Sequence, residues 1–239
     1  MVHEVESRRV LRVTETFAAQ PPGPPGVRLC TAASKLLDSA GVAVSLGAGD
    51  DLFDSGLQTV CATDRGHDGE TLQFDLGEGP SYTAHRTGRP VQAADLEHDD
   101  TWPVFAKAAT ASGFRAVFAC PLRSGSASIG ALTLYQHDAG ELIPEQYADA
   151  LAVARFALNL LIFLQSGHTT DELDQVFTVG MARTEHVSQA SGVVSVQLGI
   201  PVDAALSVLR AHAFAEGCSL AAVAMQVIEH RLTLCPLHD

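Results

Sequence analysis

The sequence predicts an α+β fold: an antiparallel sheet with flanking helices, followed by a C-terminal three-helix bundle. Three observations carry this expectation. The apolar stretches RAVFACPL and IGALTLYQ are joined by the short polar run RSGSAS, a hairpin pattern that makes neighbouring strands antiparallel. Strand-like and helix-like stretches interleave from about residue 27 to residue 166. Beyond that, as far as Leu232, apolar residues recur at helical spacing.

The elements follow in order. Val10, Val13 and Phe17 stand at i, i+3 and i+7 and predict a short amphipathic helix within residues 4–19. PPGPPG at 21–26 should stop regular structure and act as a hinge or linker. VRLCTAASKLLDSAG reads as a helix burying Leu29, Ala33, Leu36 and Leu37, with Gly41 at its end. VAVSLGAGDDLFDSGLQTVCATD reads as two strands around a Gly/Asp-rich loop. Short helices flank the glycine loop Gly77–Pro80, RPVQAADL is a strand, and TWPVFAKAATASG is a helix ending at Gly113. After the hairpin, a long helix runs from Pro144, a good first-turn residue, to about Ser166.

Thr169 or Thr170 can cap a further helix over about 171–198, with Val187, Ala190, Val194 and Leu198 as its stripe and Gly199 as its left-handed stop. Pro201 and Asp203 suit the start of the next helix, whose face is Val202, Leu206, Leu209 and Ala213 and whose end is Gly217. Ser219 can cap a third helix with Leu220, Val223, Ala224, Val227 and Ile228 on one face. Three stripes on such short connections can bury one another. Gly192, in mid-helix, is expected to permit close helix approach. The division is therefore 1–26, helix and Pro/Gly linker; 27–167, α/β domain; and 168–235, helical domain.

The formal charge of −13 excludes a general nucleic-acid coat, which depends on neutralising phosphates, but leaves room for a small local contact. Five cysteines (Cys30, Cys61, Cys120, Cys218, Cys235) are widely spaced without a CxxC, so buried reduced thiols are expected and neither a zinc site nor a disulfide framework. FALNLLIFLQSG at 156–167 is the longest membrane candidate and is too short to span. MVHEVESRRVLRV lacks the apolar core of a secretory signal, which makes the cytoplasm the expected compartment. GEGP at 77–80 lacks the GxxxxGK[ST] frame and its lysine, so nucleotide hydrolysis is not expected.

Two known families come into view at this point. LGEGPSYTAHRTGRPVQAADL (76–96), WPVFAKAATASGFRAVFACPL (102–122) and IGALTLY (129–135) resemble the GAF domain, a small-molecule-sensing α/β module. QASGVVSVQLGIPVDAALSVLRAHAFAEGCSLAAVAMQVI resembles the ANTAR domain, a three-helix RNA-binding module of transcription antitermination regulators. That second likeness rests on Gln189-Ala190, Gly192, Leu198-Gly199, Asp203, Ala205, Leu209-Arg210, Ala213, Leu220 and Val223-Ala224 in register. GAF followed by ANTAR is a familiar order among actinobacterial regulators. The resemblance implies a non-catalytic homodimer that binds paired stem-loops in nascent transcripts, with the sensor governing presentation of the RNA-binding helices. It implies no cofactor and no metal, although the sensor could take a small-molecule or protein signal.

The RNA-contact candidates are Gln189, Ser191, Gln197, Arg210 and Phe214. The sequence departs from the family here: Lys is usual at Ser191, Arg is common near Gln197, and an aromatic is common at Leu206. From Ala182 to Asp239, Arg183, Arg210 and Arg231 stand against Glu185, Asp203, Glu216, Glu229 and Asp239, a balance of 3 − 5 = −2. RNA binding must then rest on few, well-placed contacts, or the tail serves another partner. Arg210 can fork to a phosphate or stack on a base, or pair with Asp203 or Glu216. Phe214 can stack on a base or fill a core or dimer seam. Tyr82, His85, Trp102, Phe105 and Phe118 are the ligand-pocket candidates. Leu151, Ala154, Leu158, Leu161 and Ile162 offer more apolar surface than one sheet face needs and suggest a dimer seam. Some GAF proteins are methionine sulfoxide reductases. In this chain Ser81 stands where such relatives often carry Cys and the expected set of close cysteines is missing, so a thiol reductase is the second alternative, after a ligand-binding or dimerisation regulator whose helical tail binds protein rather than RNA.

Overall fold

The computed structural model describes residues 2–47, 57–124, 127–165 and 186–234. Its centre is a five-stranded sheet of β1 (Gly41–Gly47), β2 (Leu57–Ala62), β3 (Val91–Ala93), β4 (Ala116–Ser124) and β5 (Ala127–Gln136), in the order β2-β1-β5-β4-β3 with antiparallel pairings throughout. Period-two alternation sorts the strand side chains onto two faces. Phe118, Cys120, Leu122, Leu132 and Leu134 face α2 (Pro25–Leu37) and α6 (Pro144–Gln165). Val117 and Tyr135 face the side covered by α3 (Asp64–Leu76), α4 (Pro80–Thr87) and α5 (Pro103–Ala111). Cys61, Val44, Leu132 and Cys120 stand in one row across four strands, by the register of the pairings.

Two local boundaries differ from the expectation, each for a physical reason. Regular structure resumes inside PPGPPG, because Pro25 fits the first turn of α2. α2 ends at Leu37 with Asp38 in the left-handed region (φ 49°), rather than at Gly41. Gly41 opens β1 instead, where a Cβ would lie 2.6 Å from the Gly66 nitrogen.

Residues 1–26, unassigned by either resemblance, contribute α1 (Val2–Ala18), which lies on α6 and α2. Val13 is buried, and the Phe17 and Phe156 ring centroids are 5.2 Å apart. Asp149 on α6 binds Arg9 at 2.6 Å and also Arg12. This helix corrects the dimer-seam expectation. Ala154, Leu158 and Leu161 are buried within the chain, Leu151 packs against the same core, and Ile162 alone of the five is exposed. Asp149→Ala is expected to cost about 1–2 kcal/mol, since it removes charge-assisted bonds to partly exposed arginines. Amide exchange should accelerate over 2–18 and stay unchanged in the sheet.

Pro144–Leu164 is long and apolar enough to cross a membrane, which the length of unbroken apolar runs did not reveal. Half of that stretch is buried in the protein, as in a core helix.

The C-terminal part contains α7 (residues 186–198), α8 (Val202–Glu216) and α9 (Leu220–Ile228). The capping threonines and the start proposed at residue 171 lie outside the described residues. Val187, Ala190 and Val194 of α7 meet Ala205, Leu209 and Ala213 of α8 and Leu220, Val223, Ala224 and Val227 of α9 in a separate core. Gly199 and Gly217 take the left-handed stops (φ 64° and 63°), and the Ser219 hydroxyl accepts the Ala222 N–H at 3.2 Å. Pro201 caps α8 rather than entering it.

Gly192 corrects another expectation. Nothing lies within 4 Å of the place a Cβ would take, so no helix among the described residues approaches there. Gly192→Ala is therefore expected to stabilise the protein by about 0.5–1 kcal/mol through helix propensity, read as a rise in the unfolding midpoint.

Candidate functional site

On the α3–α4 face the sheet presents hydroxyls: Ser45 on β1, Thr59 on β2, and Thr133 and Tyr135 on β5. α3 brings Glu70 and Gln73, three residues apart and hence on one side of the helix. Pro80 then starts α4 and places Ser81 beside them. Glu70 Oε1 accepts from the Ser81 hydroxyl at 2.7 Å and the Tyr135 hydroxyl at 2.8 Å and lies 3.2 Å from Gln73 Nε2, while Oε2 accepts from the Ser45 hydroxyl at 2.7 Å. Gln73 Nε2 also lies 2.6 Å from both the Ser81 and Tyr135 oxygens, and Gln73 Oε1 accepts the Ser81 N–H at 2.8 Å. Ser81 and Thr133 hydroxyls are 2.7 Å apart, and Ser45 and Thr59 hydroxyls 3.3 Å.

The hydrogen inventory fixes the direction of these bonds. Ser45, Ser81 and Tyr135 each have one hydrogen, and Glu70 takes all three. Gln73 then donates to the Ser81 and Tyr135 oxygens, Thr133 to Ser81, and Thr59 to Ser45. Every donor thus leads to one carboxylate, and all six of Ser45, Glu70, Gln73, Ser81, Thr133 and Tyr135 are at most 3% exposed. Burial, followed by the Glu70 charge, pushes the Tyr135 phenol well above its ordinary range and keeps it a donor. Such a hub positions α3 and α4 on the sheet. Sequence reasoning missed it, although Glu70, Gln73 and Ser81 around the glycine loop, and Thr133 and Tyr135 alternating with Leu132 and Leu134, were its signal.

Four of the five pocket candidates lie on this side of the sheet. Tyr82 is on α4; burial raises its hydroxyl to about 12, against the lowering effect of the Arg210 charge. His85 is buried beside Gly47, with Nδ1 3.4 Å from the Ser128 hydroxyl. The Trp102 indole N–H donates to Thr83 Oγ1 at 3.1 Å, and Phe105 is fully buried. Phe118 must be removed from the group, because alternation turns it to the opposite face, where its ring centroid is 5.3 Å from that of Tyr147. The GEGP loop fastens a neighbouring helix. Its Glu78 carboxylate accepts the N–H groups of Val104 and Phe105 at 3.0 and 2.9 Å and so caps α5.

Burial lowers the His85 pKa below its ordinary 6.5. The unfolded chain then binds the proton more readily, so stability is fully present above pH ~6.5 and falls as the pH drops through the folded value. His85→Gln should flatten that part of the pH–stability curve. His98, exposed and raised by its bond to Asp95, changes stability with the opposite sign. Among the described residues Asp95, Glu97 and His98 come close enough to hold a cation. Arg115 already pairs with Glu97 at 2.7 Å and with Asp95 at 3.4 Å.

The cysteines Cys30, Cys61 and Cys120 are buried in the α2–α6 core, across the sheet from the hub, while Cys218 is exposed. The Cys61 contact and burial raise the Cys30 thiol, and burial raises that of Cys120 to about 12. These are poor conditions for thiolate chemistry.

The RNA-contact candidates do not share one exposed face. Gln189 and Phe214 are exposed, Phe214 at 67%, which takes it out of the helical core. Ser191 is buried, with its hydroxyl donating to the Val187 carbonyl at 2.8 Å, so it is corrected to a structural residue. Gln197 is half-buried, with Oε1 shielded and without a protein donor among the described residues. The Arg210 guanidinium lies against Gly77, at the end of α3.

No curated protein matches the chain. Among solved structures, the GAF domain of a phosphoenolpyruvate-protein phosphotransferase from Acinetobacter is similar at TM-score 0.50 and 6% identity, over 70% of this chain and 98% of that one. The corresponding GAF domain from Coxiella burnetii gives TM-score 0.50 and 12% identity, over 67% and 95%. A type II free methionine-R-sulfoxide reductase from Thermoplasma acidophilum gives 0.42 and 13%, over 64% and 94%, too distant to bear on activity. The first two likenesses establish the fold, the antiparallel sheet flanked by helices described above. Residues 27–153, more than half of the 239, match the GAF domain family, and the chain belongs to that family.

Proposed function

We propose that the chain is a cytoplasmic, non-catalytic transcription antitermination regulator, in which the GAF domain receives a signal and α7–α9 form an ANTAR-like RNA-binding output. The observation that supports this reading is the separate core of the three helices. Val187, Ala190, Val194, Ala205, Leu209, Ala213, Leu220, Val223, Ala224 and Val227 pack together in the frame of the ANTAR-like pattern. That arrangement leaves Gln189 and Phe214 at the surface. With three arginines against five acids from residue 182 onward, each copy makes few phosphate contacts, so two copies act together on paired stem-loops.

Phe214→Ala tests the output directly. The side chain is 67% exposed, so its loss leaves the core intact. A base-stacking Phe214 makes affinity for a tandem stem-loop RNA fall by about 1–3 kcal/mol, with the unfolding midpoint unchanged. Unchanged affinity removes Phe214 from the interface.

A second reading, a protein-binding tail, has one observation in its favour. Val196, Val202 and Phe214 are exposed apolar residues, at 85%, 53% and 67%, on helices poor in basic residues.

A further inference from the structure

We propose that the contact between α8 and the end of α3 is an autoinhibitory latch, in which the GAF domain holds Arg210 away from RNA; this rests on the RNA reading of the tail. α3 ends at Leu76, and Gly77 caps it in the left-handed region (φ 72°), its N–H donating to the Gln73 carbonyl at 2.8 Å. A Cβ on Gly77 would lie 2.8 Å from Arg210 Cζ and Nη1 and 3.0 Å from Nε. The guanidinium therefore lies flat on the cap, in space that only glycine leaves open. That place is the carbonyl end of α3, the negative pole of the helix, which favours a cation. Three residues earlier Phe74 packs against the tail's core. Phe74 and Gly77 thus form one stripe of α3 that holds the tail.

The same helix has its other stripe in the hub. Glu70 and Gln73 are fixed to Ser45, Ser81 and Tyr135, and the Gln73 carbonyl closes the cap on which Arg210 rests. Any change in the hub that shifts or turns α3 moves the seat of Arg210. α3 therefore links the interior of the GAF domain to the tail by contiguous contacts. The latch is also incompletely bonded. Arg210 Nε is buried with no hydrogen-bond partner among the described residues, a cost that favours release. Phe214 stands one turn after Arg210 on α8 and stays exposed, so docking removes the arginine and spares the aromatic.

Gly77→Asn tests the latch. Asparagine tolerates the left-handed conformation, and its side chain occupies the guanidinium's place. Amide exchange over 73–79 and 206–214 should accelerate. Affinity for a tandem stem-loop RNA should rise about tenfold, the gain expected when a state populated at roughly one part in ten becomes dominant. The gain should vanish in the Gly77→Asn/Arg210→Ala double variant. Arg210→Gln, which leaves the cap glycine in place, should accelerate exchange over 73–79 in the same way and guards against a folding defect of the first variant. Unchanged exchange in both variants overturns the latch while leaving the RNA reading standing. Faster exchange with unchanged RNA affinity overturns its regulatory role. Absence of RNA binding by wild type and Gly77→Asn alike at low salt overturns the RNA reading and, with it, the autoinhibition.

Discussion

Glu70→Ala is expected to destabilise the protein by about 3–5 kcal/mol, the range for removing one partner from a buried charged network. Three hydroxyls, on Ser45, Ser81 and Tyr135, lose their common acceptor. Each of these residues is at most 3% exposed, so water cannot take the place of the carboxylate without opening the fold. The unfolding midpoint should fall by about 10–20 °C, because 1 kcal/mol corresponds to a few degrees in a domain of this size. Glu70→Gln retains one acceptor oxygen but aims an amide at donor hydroxyls, and its loss should be intermediate. A variant as stable as wild type would show that the hub is not the support of α3 and α4.

Leu209→Ala has the second largest effect. Leu209 is fully buried on α8 and shares its core with Val187 and Val194 on α7 and Val223 and Val227 on α9. Truncating such a leucine costs about 2–5 kcal/mol, lost transfer free energy plus the cavity left behind. A core this small has little margin. The tail is expected to unfold locally while the sheet stays intact, seen as fast amide exchange over 186–228 beside retained protection in β4 and β5. RNA affinity should disappear with it. Global unfolding in a single step would mean that the tail and the GAF domain form one cooperative unit.

What could be read in the sequence follows the strength of the local signal. Gly199 and Gly217 mark helix ends by a left-handed conformation few other residues adopt, Ser219 marks a helix start by its capping hydroxyl, and all three stand where their chemistry placed them. The hairpin of β4 and β5 and the alternation of Leu132 and Leu134 with Thr133 and Tyr135 were equally legible, but the polar half of that pattern acquires meaning only beside Glu70 and Gln73, more than fifty positions earlier. Strict alternation could have excluded Phe118 from the pocket, since it lies opposite Leu134 in the register. The role of residues 2–18 could not be read. An amphipathic helix states that it needs a partner, and only the fold shows that α6 is that partner. Gly192 and Ser191 misled for a related reason, since family patterns mark a position without recording whether it faces a neighbour, its own helix or solvent. Arg210 was read as an RNA contact or as a partner of Asp203 or Glu216, whereas its contact with Gly77 joins segments 133 residues apart and has no local signature.

On the proposed function, α7–α9 grip folded RNA through few contacts. The most direct measurement is the affinity of the full chain for a fluorescent tandem stem-loop RNA at several salt concentrations, with a single-stranded RNA of equal length as control. Binding to the tandem stem-loop is expected at low salt, with a shallow slope of log affinity against log salt corresponding to about one to three phosphate contacts per copy. No difference between the two RNAs, or no binding at the lowest salt, would contradict it and leave the protein-binding tail as the reading to pursue.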